Sequence, residues 1–419
     1  MIMKILHISY TDVIGGAARA AYRLHRAQLA AGIESRMVVR SKNSDDWTVQ
    51  GPISRAKKLL NIVSMFVGTQ LMRLQRSQNV NFHSSCWLPS NLAKEINASD
   101  ADVVHLHWVA GETMSIEDIG RIKKPIVWTI HDMWPFCGSE HVTEYGENAR
   151  WRSGYTKSNR NVFDRGFDLD RYTWQRKNKA WRQPMHIIAP SHWLAECAKG
   201  SALFQEKPIV VIPNTLNTEI YKPLDKVFCR KALNFPVDIK IILFGAMGGG
   251  KDPNKGYDLL VAALETLSAT YTREDVLCVV FGQGEPQQVP TLPFKTHWLG
   301  HIHDDATLAL LYNAATVMVV PSKQEAFGQT ASEAQACGTP VVAFDCTGLT
   351  DVVKHLQTGY LAKAYDSKDM AVGLQLILAS PAECQRLANN ARMRAENLWA
   401  TDKVVEQYKM VYSMAVARK

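Results

Sequence analysis

Long hydrophobic runs are missing from this sequence of 419 residues. No stretch reaches the ~18 uninterrupted apolar residues that a membrane span needs. Paired cysteines are missing too: the eight cysteines are scattered without a Cys-x-x-Cys pair, and several lie in apolar runs such as VLCVVF. This pattern favours reduced thiols in the cytoplasm and argues against a disulfide framework or a zinc site. The first residues, MIMKILHISYT, lack the segments of a signal peptide and predict a strand.

An excess of acidic residues is also absent, and the net charge is +8. Basic charge suits an anionic substrate, a nucleic acid or an anionic membrane surface, and does not choose among them. Apolar residues make up 46% of the chain and charged residues 21%, as in soluble globular proteins. The length fits two domains better than one core.

The same α/β pattern occurs twice along the chain. The first half begins with the strand KILHISY, the glycine turn TDVIGG, the helical ARAAYRLHRAQLAAG and the strand ESRMVVR. Near residue 238 the pattern restarts with IKIILFGAM, the loop GGGKDPNKG and the helical YDLLVAALETL. Each strand, loop, helix and strand unit predicts a parallel sheet with a right-handed crossover. We therefore expect two doubly wound units that bind ligands at the C-terminal ends of their strands.

Two glutamates lie around a predicted helix start in PSKQEAFGQTASEAQACGTPVVAF, residues 321–344. Glu325 follows the strand VMVVPS. Glu333 lies three residues after Thr330, the spacing of a capping box, so one interpretation is that Glu333 only caps the helix. The helix start also offers backbone N–H groups to an anion. Carboxylates that accept hydrogen bonds from sugar hydroxyls, beside N–H groups that bind phosphates, would make a nucleotide-sugar site.

The motif E-A-F-G-x-x-x-x-E, followed by A-C-G-T-P-V-V-A, resembles the donor motif of retaining glycosyltransferases of family 4. NKGYDLL, LYNAATVMVVPS and TGYLA match that family in the same order, and VIPNTLNTEIYKP resembles its inter-domain segment. HDMWPF and the first glycine loop are similar to members that build bacterial surface polysaccharides and lipopolysaccharides. The resemblance implies the α/β GT-B fold, with two facing Rossmann-like domains and a cleft between them. It also implies a retaining hexosyltransferase.

The resemblance divides the chain into three parts. It implies an acceptor-binding domain over residues 1–215 and a nucleotide-sugar-binding domain over residues 216–395. A C-terminal helix over residues 396–419 would pack back on the first domain.

The resemblance also assigns site residues. His131 would lie near the reacting carbon, Glu325 would contact donor-sugar hydroxyls, and Lys255 would neutralise the leaving diphosphate. The other interpretation is that His131 has only a structural role, with its hydrogen bonds satisfied at the end of a strand. The implied donor-binding residues are Gly15, Gly16, Lys251, Phe327, Gly328, Gln329, Thr330 and Glu333.

The sequence departs from the family at one donor position. The family arginine expected after Gly245 is Ala246 here, and Lys251 is the candidate replacement for its charge. Neither a cofactor nor a metal is expected, since Lys255 and a helix dipole would take the metal's place. His105 and His107 alternate on one strand face and could ligate a metal, but the sequence shows no third ligand.

Residues 53–76, ISRAKKLLNIVSMFVGTQLMRLQR, allow two interpretations. One is an ordinary packed helix, and the other is a basic amphipathic surface that sits on anionic lipid. The expected partners are a nucleotide-sugar donor, a glycan or glycolipid acceptor and, under the second interpretation, an anionic membrane surface. No nucleic acid is expected. The protein would be cytoplasmic, attached peripherally to the inner face of the plasma membrane in the lipid-binding case.

Other enzyme classes fit less well. GAMGGGKD satisfies G-x-x-x-x-G-K but continues with Asp252 and Pro253, where a P-loop needs Ser or Thr and a helix. A dehydrogenase would need G-x-G-x-x-G and an acidic residue after its second strand. This sequence has only Gly15-Gly16 in the first loop, and its second strand ends in ESRMVVRSK. A phosphorylase, a sugar-nucleotide epimerase or a non-catalytic relative that binds nucleotide sugars or glycans remains an alternative.

Overall fold

The computed structural model describes residues 3–245, 252–285 and 292–417. These residues form two compact units: an N-terminal unit that runs to Pro213 and resumes at Val404, and a C-terminal unit over Asn214–Lys403. The sequence placed this boundary at residue 215. The last predicted helix is two helices, of which only the second has residues in the N-terminal unit.

The described part of the N-terminal unit contains a seven-stranded parallel sheet in the order β3-β2-β1-β5-β6-β8-β9, and a small antiparallel ribbon of β4 and β7. Its strands are β1 Lys4–Thr11, β2 Glu34–Ser41, β3 Val49–Gln50, β4 Gln75–Arg76, β5 Val103–Leu106, β6 Ile126–Thr129, β7 Arg165–Gly166, β8 Met185–Ala189 and β9 Ile209–Val211. Its helices are α1 Gly16–Ala30, α2 Arg55–Met72, α3 Leu92–Ala98, α4 Ile116–Gly120, α5 Arg150–Ser153, α6 Leu169–Ala180 and α7 His192–Lys199. The central strands are buried on both faces, which explains their continuous apolar sequences.

The described part of the C-terminal unit contains a six-stranded parallel sheet in the order β12-β11-β10-β13-β14-β15. Its strands are β10 Lys240–Gly245, β11 Val276–Phe281, β12 Lys295–Trp298, β13 Val317–Val320, β14 Val341–Phe344 and β15 Gly359–Ala362. Its helices are α8 Lys226–Ala232, a 3₁₀ turn Pro253–Lys255, α9 Tyr257–Leu267, α10 Asp305–Ala314, α11 Gln329–Ala336, α12 Leu349–Val352, α13 Ser367–Ala379 and α14 Pro381–Leu398. Apolar clusters cover both faces of this sheet.

Each sheet has a point where the strand order reverses. In the N-terminal unit this switch point lies between β1 and β5, and in the C-terminal unit between β10 and β13. The loops that leave adjacent strands at a switch point diverge, so they leave a crevice for ligands. The strand order of the two sheets therefore predicts sites at the loops after β1 and β5, and after β10 and β13.

The final helix, α15 Thr401–Ala417, supplies part of the core of the N-terminal unit. Val404, Tyr408 and Tyr412 are buried and cluster with Ile5 and Val103 from the sheet. The N-terminal unit is therefore closed by residues from the far end of the chain.

Helix α2 leaves most of its apolar side chains exposed. Gly68 is its one buried residue, while Leu60, Ile62 and Phe66 are each more than 60% exposed. The packed-helix interpretation of residues 53–76 is therefore wrong: the neighbouring elements cover little of this helix. Among the described residues, no helix combines the length and hydropathy that crossing a membrane requires.

Candidate functional site

The loops after β10 and β13 bring Lys255 and Glu325 together. Lys255 Nζ donates to Glu325 Oε1 at 2.6 Å, and Ser322 Oγ donates to the same oxygen at 2.9 Å. Burial alone would lower the pKa of Lys255, but the Glu325 carboxylate outweighs it and raises that pKa above its usual value. Both side chains remain partly exposed. The switch point of the C-terminal unit thus presents a fixed ammonium group next to a carboxylate.

A glycine makes this pairing possible. Gly256 follows Lys255 with φ of 64°, and a Cβ there would lie 2.0 Å from the carbonyl oxygen of Pro321. The two loops are also joined by Lys323 N–H, which donates to Asn254 O, and by Asn254 Nδ2, which donates to Gln324 O, both at 2.8 Å. Only glycine fits this conformation and this close approach without strain. The Lys-Gly pair of the sequence therefore has a steric reason.

Helix α11 starts beside the same loop. Its N-cap is Gly328 with φ of 99°, and no side chain caps the helix. Thr330 already lies in the first turn, so the interpretation that Glu333 only caps the helix, as part of a capping box with Thr330, is wrong. The N–H of Thr330 has no hydrogen-bond partner in the described part of the chain. The side chain of Phe327 packs in the core against Trp399 and leaves only backbone toward this helix start.

Glu333 is buried and hydrogen-bonded to another helix. Tyr312 Oη on α10 donates to Glu333 Oε2 at 2.6 Å. Burial, and then the nearby Glu333 carboxylate, raise the pKa of Tyr312 well above its ordinary value. Tyr312 holds one carboxylate oxygen in a fixed position, a role that sequence reasoning did not assign to it.

The corresponding loop of the N-terminal unit is pinned by a buried aspartate. Gly15, with φ of 92°, caps helix α1, and Gly16 is its first residue. Asp12 accepts hydrogen bonds from the backbone N–H groups of Asn43 and Ser44 and from Ser44 Oγ. Burial opposes its ionisation, but the bonds from Ser44 and Asn43 prevail and lower the pKa of Asp12. Asp12, missed in the sequence, fixes the glycine loop against the end of β2.

A cavity of about 790 Å³ adjoins this loop within the N-terminal unit. Three of its lining side chains, Arg40, Lys42 and Lys58, are cationic, and none is acidic. Arg40 donates to the carbonyl oxygens of Glu112 and Asn61 and to Ser64 Oγ, which ties α2 to the end of β2. Apolar residues of α2 complete the wall: Ile62, Met65 and Phe66. The cavity is suited to an anionic group attached to an apolar one.

His131 lies just past the end of β6, and its neighbour Asp132 is held on several sides. Asp132 Oδ2 accepts from Trp108 Nε1 at 2.8 Å and bonds His141 Nδ1 at 2.6 Å, while Trp134 N–H donates to Oδ1. Burial would raise the pKa of Asp132, but His141 and these donors lower it. Burial lowers the pKa of His131 to about 4, against the pull of Asp132. His131 is therefore a neutral imidazole at neutral pH, at the partly exposed edge of the sheet.

His105 and His107 do have a third histidine beside them, contrary to the sequence analysis. The parallel register places His7 of β1 opposite His105, and candidate ligand atoms of His7, His105 and His107 lie within 4.8 Å of one another. However, all six ring nitrogens already have hydrogen-bond partners in side chains. A buried hydrogen-bond network accounts for the three residues without an ion.

The sequence-predicted residues therefore fall into two local groups. Within the C-terminal unit, Lys255, Glu325 and the start of α11 meet at one switch point, with Glu333 in the second turn of α11. Within the N-terminal unit, Gly15 and Gly16 follow β1 and His131 follows β6. Lys251 and Ala246, the positions of the family-arginine question, lie outside the described residues.

Comparisons with known proteins place this arrangement in a family. The model of "Glycosyltransferase Family 4" matches residues 14–220, and that of "Glycosyl transferases group 1" matches residues 229–394. A protein of Acidothermus cellulolyticus named D-inositol 3-phosphate glycosyltransferase is 34% identical over 337 residues, which is 76% of this chain and 68% of that protein. The chain belongs to glycosyltransferase family 4. This confirms the resemblance found in the sequence.

A second curated relative of this family 4 chain aligns over less of its own length. A protein of the same name from Xylanimonas cellulosilytica is 35% identical over 227 residues, 50% of this chain and 52% of that protein. The alignment with this relative thus spans about half of its length.

Solved structures confirm the GT-B fold of this family 4 chain. Sucrose-phosphate synthase from Thermosynechococcus elongatus superposes with a TM-score of 0.68 at 20% identity, covering 100% of both chains. Anabaena HepE in complex with UDP-glucose gives 0.65 at 15% identity, covering 98% of this chain and 100% of that one. WaaG, a glycosyltransferase involved in lipopolysaccharide biosynthesis, gives 0.63 at 16% identity, covering 96% and 98%.

Proposed function

We propose that this chain is a metal-independent, retaining hexosyltransferase that takes its sugar from a nucleoside diphosphate donor. The observation that carries the proposal is the Lys255–Glu325 pair beside the start of α11. An ammonium group has three N–H donors, and Glu325 uses one of them, so two remain for a diphosphate. The start of α11 adds backbone N–H groups and the positive end of a helix dipole to the same place.

The two glutamates would bind the neutral parts of the donor. Glu325 would accept hydrogen bonds from hexose hydroxyls, and Glu333, held by Tyr312, would accept them from the ribose. Charge builds up on the leaving diphosphate as the glycosidic bond breaks, so Lys255 and the helix start would supply most of the stabilisation. Attack by the acceptor on the same face, with a donor phosphate oxygen taking its proton, would retain the configuration.

The acceptor proposed here carries a phosphate. The cavity beside α2 offers three cations and no carboxylate, and its apolar wall suits a lipid chain attached to that phosphate. A lipid-linked glycan of bacterial surface polysaccharide synthesis fits both features. The second candidate acceptor is a phosphorylated cyclitol, because relatives at 34% identity are named D-inositol 3-phosphate glycosyltransferases.

Helix α2 would hold the enzyme at the inner face of the plasma membrane. Lys57 and Lys58 lie on the same helix as the exposed side chains of Leu59, Leu60 and Phe66. Each basic residue near an anionic bilayer contributes about 1 kcal/mol of binding. We expect the protein to pellet with anionic vesicles at low salt, and the Lys57→Glu/Lys58→Glu variant to pellet much less. Equal pelleting of both proteins at low and high salt would contradict this attachment.

The donor is tested first by thermal shift with UDP, GDP and ADP. A nucleotide at 100 times its dissociation constant stabilises the folded state by about 2.7 kcal/mol, so the correct base should raise the melting temperature clearly. Sugar transfer from UDP-glucose, UDP-galactose, UDP-N-acetylglucosamine, GDP-mannose and GDP-fucose is then measured with D-inositol 3-phosphate and with a polyprenyl diphosphate-linked glycan. The anomeric configuration of the product is read by NMR.

The matched variants are Glu333→Gln and Glu333→Ala. Glutamine keeps an oxygen for the Tyr312 hydroxyl but loses the charge, so it should raise the KM for the donor while preserving the melting temperature. Alanine should impair both. Binding of nucleotide without turnover of any sugar would favour a non-catalytic relative, and transfer to inorganic phosphate would favour a phosphorylase.

A further inference from the structure

A single file of hydrogen bonds leads from the interior of the N-terminal unit to His131. Gln28 Oε1 lies 2.8 Å from His7 Nε2, His7 Nδ1 lies 2.9 Å from His107 Nε2, and His107 Nδ1 lies 3.2 Å from His131 Nε2. Gln28, His7 and His107 are buried, whereas His131 is partly exposed. The file therefore joins a buried amide on α1 to the histidine that the family resemblance places near the reacting carbon.

The imidazoles in the file are neutral, and this makes the file directional. Burial lowers the pKa of His7 to about 3 and that of His107 well below its ordinary value. A neutral imidazole has one nitrogen that donates and one that accepts. The Gln28 oxygen can only accept, so His7 Nε2–H donates to it and His7 Nδ1 accepts from His107 Nε2–H. By the same rule, His107 Nδ1 accepts from His131 Nε2–H.

A second branch starts at the other end of the Gln28 amide. Gln28 Nε2 donates to Tyr412 Oη at 2.7 Å, and Tyr412 Oη lies 2.7 Å from His105 Nδ1. The hydroxyl can then donate to His105 Nδ1, and His105 Nε2–H can donate to Thr129 Oγ1 at 2.8 Å. Turning the amide around would reverse every bond in both branches at once. The amide of Gln28 therefore decides the direction of the whole network.

We propose that Gln28, through His7 and His107, sets the tautomer of His131, so that His131 carries its proton on Nε2 and presents Nδ1 as an acceptor to the substrate. Nδ1 has no hydrogen-bond partner within the described part of the chain. A lone pair there can accept a hydrogen bond from a sugar hydroxyl, whereas the other tautomer would offer an N–H. Gln28, His7 and His107 are thus positioning residues. Their effect on the reaction rests on the proposed glycosyl transfer, but the tautomer itself does not.

The first test measures the tautomer directly, without substrate. Protein labelled with ¹⁵N-histidine is examined by long-range ¹H–¹⁵N correlation NMR at pH 7.5, with His131 assigned from the spectrum of His131→Gln. We expect His131 in the Nε2–H form in the wild type and in a mixture of both forms in Gln28→Met. The Nδ1–H form or a mixture in the wild type would overturn the proposal. This result is independent of any failure to find the donor or the acceptor.

The second test uses kinetics. In a Ser-His-Asp protease, a catalytic histidine held in the wrong tautomer lowers kcat roughly 10⁴-fold. In Gln28→Met both tautomers of His131 stay accessible, so we expect a smaller loss of kcat, about 10-fold. The KM for the donor should not change, since Lys255, Glu325 and Glu333 lie in the other unit and Gln28 lies about three turns along α1 from Gly16. Gln28→Glu restores an acceptor for His7 and should recover part of kcat. His25→Gln, a buried substitution outside the file, should leave kcat unchanged; a fall equal to that of Gln28→Met would overturn the specific role of the file.

Discussion

Mild acid should destabilise the N-terminal unit, because its buried histidines cannot take up protons while the unit is folded. Burial lowers the pKa of His7 to about 3 and that of His25 to about 4, against ~6.5 for an exposed histidine. Burial lowers the pKa values of His105 and His107 well below the ordinary value as well. As the pH falls below ~6.5, only the unfolded chain binds these protons, so the free energy of unfolding decreases.

The size of the effect follows from these shifts. Between pH 7.5 and pH 5, each such histidine lowers the free energy of unfolding by about 2 kcal/mol, and four together by about 8 kcal/mol. Glu112 and Glu140 act in the opposite direction, since burial raises their pKa values and lets the folded state bind protons. A net loss of several kcal/mol is large beside the ~5–15 kcal/mol that stabilises a typical protein.

One substitution isolates a single histidine from these opposing groups. His25 Nδ1 bonds Ser35 Oγ at 2.7 Å and Nε2 bonds Thr48 Oγ1 at 2.8 Å, and a glutamine amide can serve both hydroxyls without titrating. In His25→Gln, the acid-induced loss should be smaller than in the wild type by about 2 kcal/mol. For a unit of this size that is about 4–8 °C in melting temperature.

Tryptophan fluorescence suits the assay, because nine of the 11 tryptophans lie in the N-terminal unit. Melting curves of the wild type and His25→Gln are recorded at pH 7.5, 6.5 and 5.0. The carboxylates with lowered pKa values, such as Asp12 and Asp132, lose their contribution only below about pH 4, outside this range. An equal fall in melting temperature for both proteins would refute the reasoning, since His25 would then be protonated in the folded state.

Three further outcomes are expected in the C-terminal unit. Lys255→Ala should lower kcat by at least about 100-fold, the usual cost of removing one preorganised donor to a developing charge. EDTA should leave the wild type active; loss of activity in EDTA that Mg²⁺ restores would show that the enzyme needs a metal. Tyr312→Phe should cost about 2 kcal/mol in urea unfolding and raise the donor KM, because Glu333 loses its hydroxyl partner; unchanged stability would mean that the pair is not formed. Gly256→Ala should cost about 2 kcal/mol or more, measured by the same unfolding, because its methyl group would meet the Pro321 carbonyl; a neutral result would contradict the close approach.

The sequence predicted correctly those features that short segments of the chain determine on their own. Buried β-branched runs such as VVHL and IVWT formed the central strands, because a strand covered on both faces tolerates few other residues. The resemblance assigned Lys255 and Glu325 to the same donor site, and in the structure the two side chains are hydrogen-bonded. Periodicity and motif spacing are properties of short segments, so a single sequence displays them.

Other features depended on the tertiary structure and were missed or misjudged. His7 joins His105 and His107 only through the register of β1 against β5, which no spacing along the chain reveals. Glu333 looked like part of a cap because the left-handed conformation of Gly328, which makes it the N-cap two residues before Thr330, cannot be recognised without the backbone. The sequence of α2 fits a packed helix and an exposed one equally well, so it could not show that its apolar side chains are exposed.

The position of α15 has a consequence for synthesis of the protein. Tyr408 and Tyr412 complete a core whose strands are made first, beginning with β1. The first unit to leave the ribosome is therefore the last that can finish folding, because it must wait until the chain has been translated through Tyr412. Until then, His105 and Gln28 lack their shared hydroxyl partner. A nascent N-terminal unit would expose the apolar surface that α15 later covers, and at this stage chaperones should bind it most strongly.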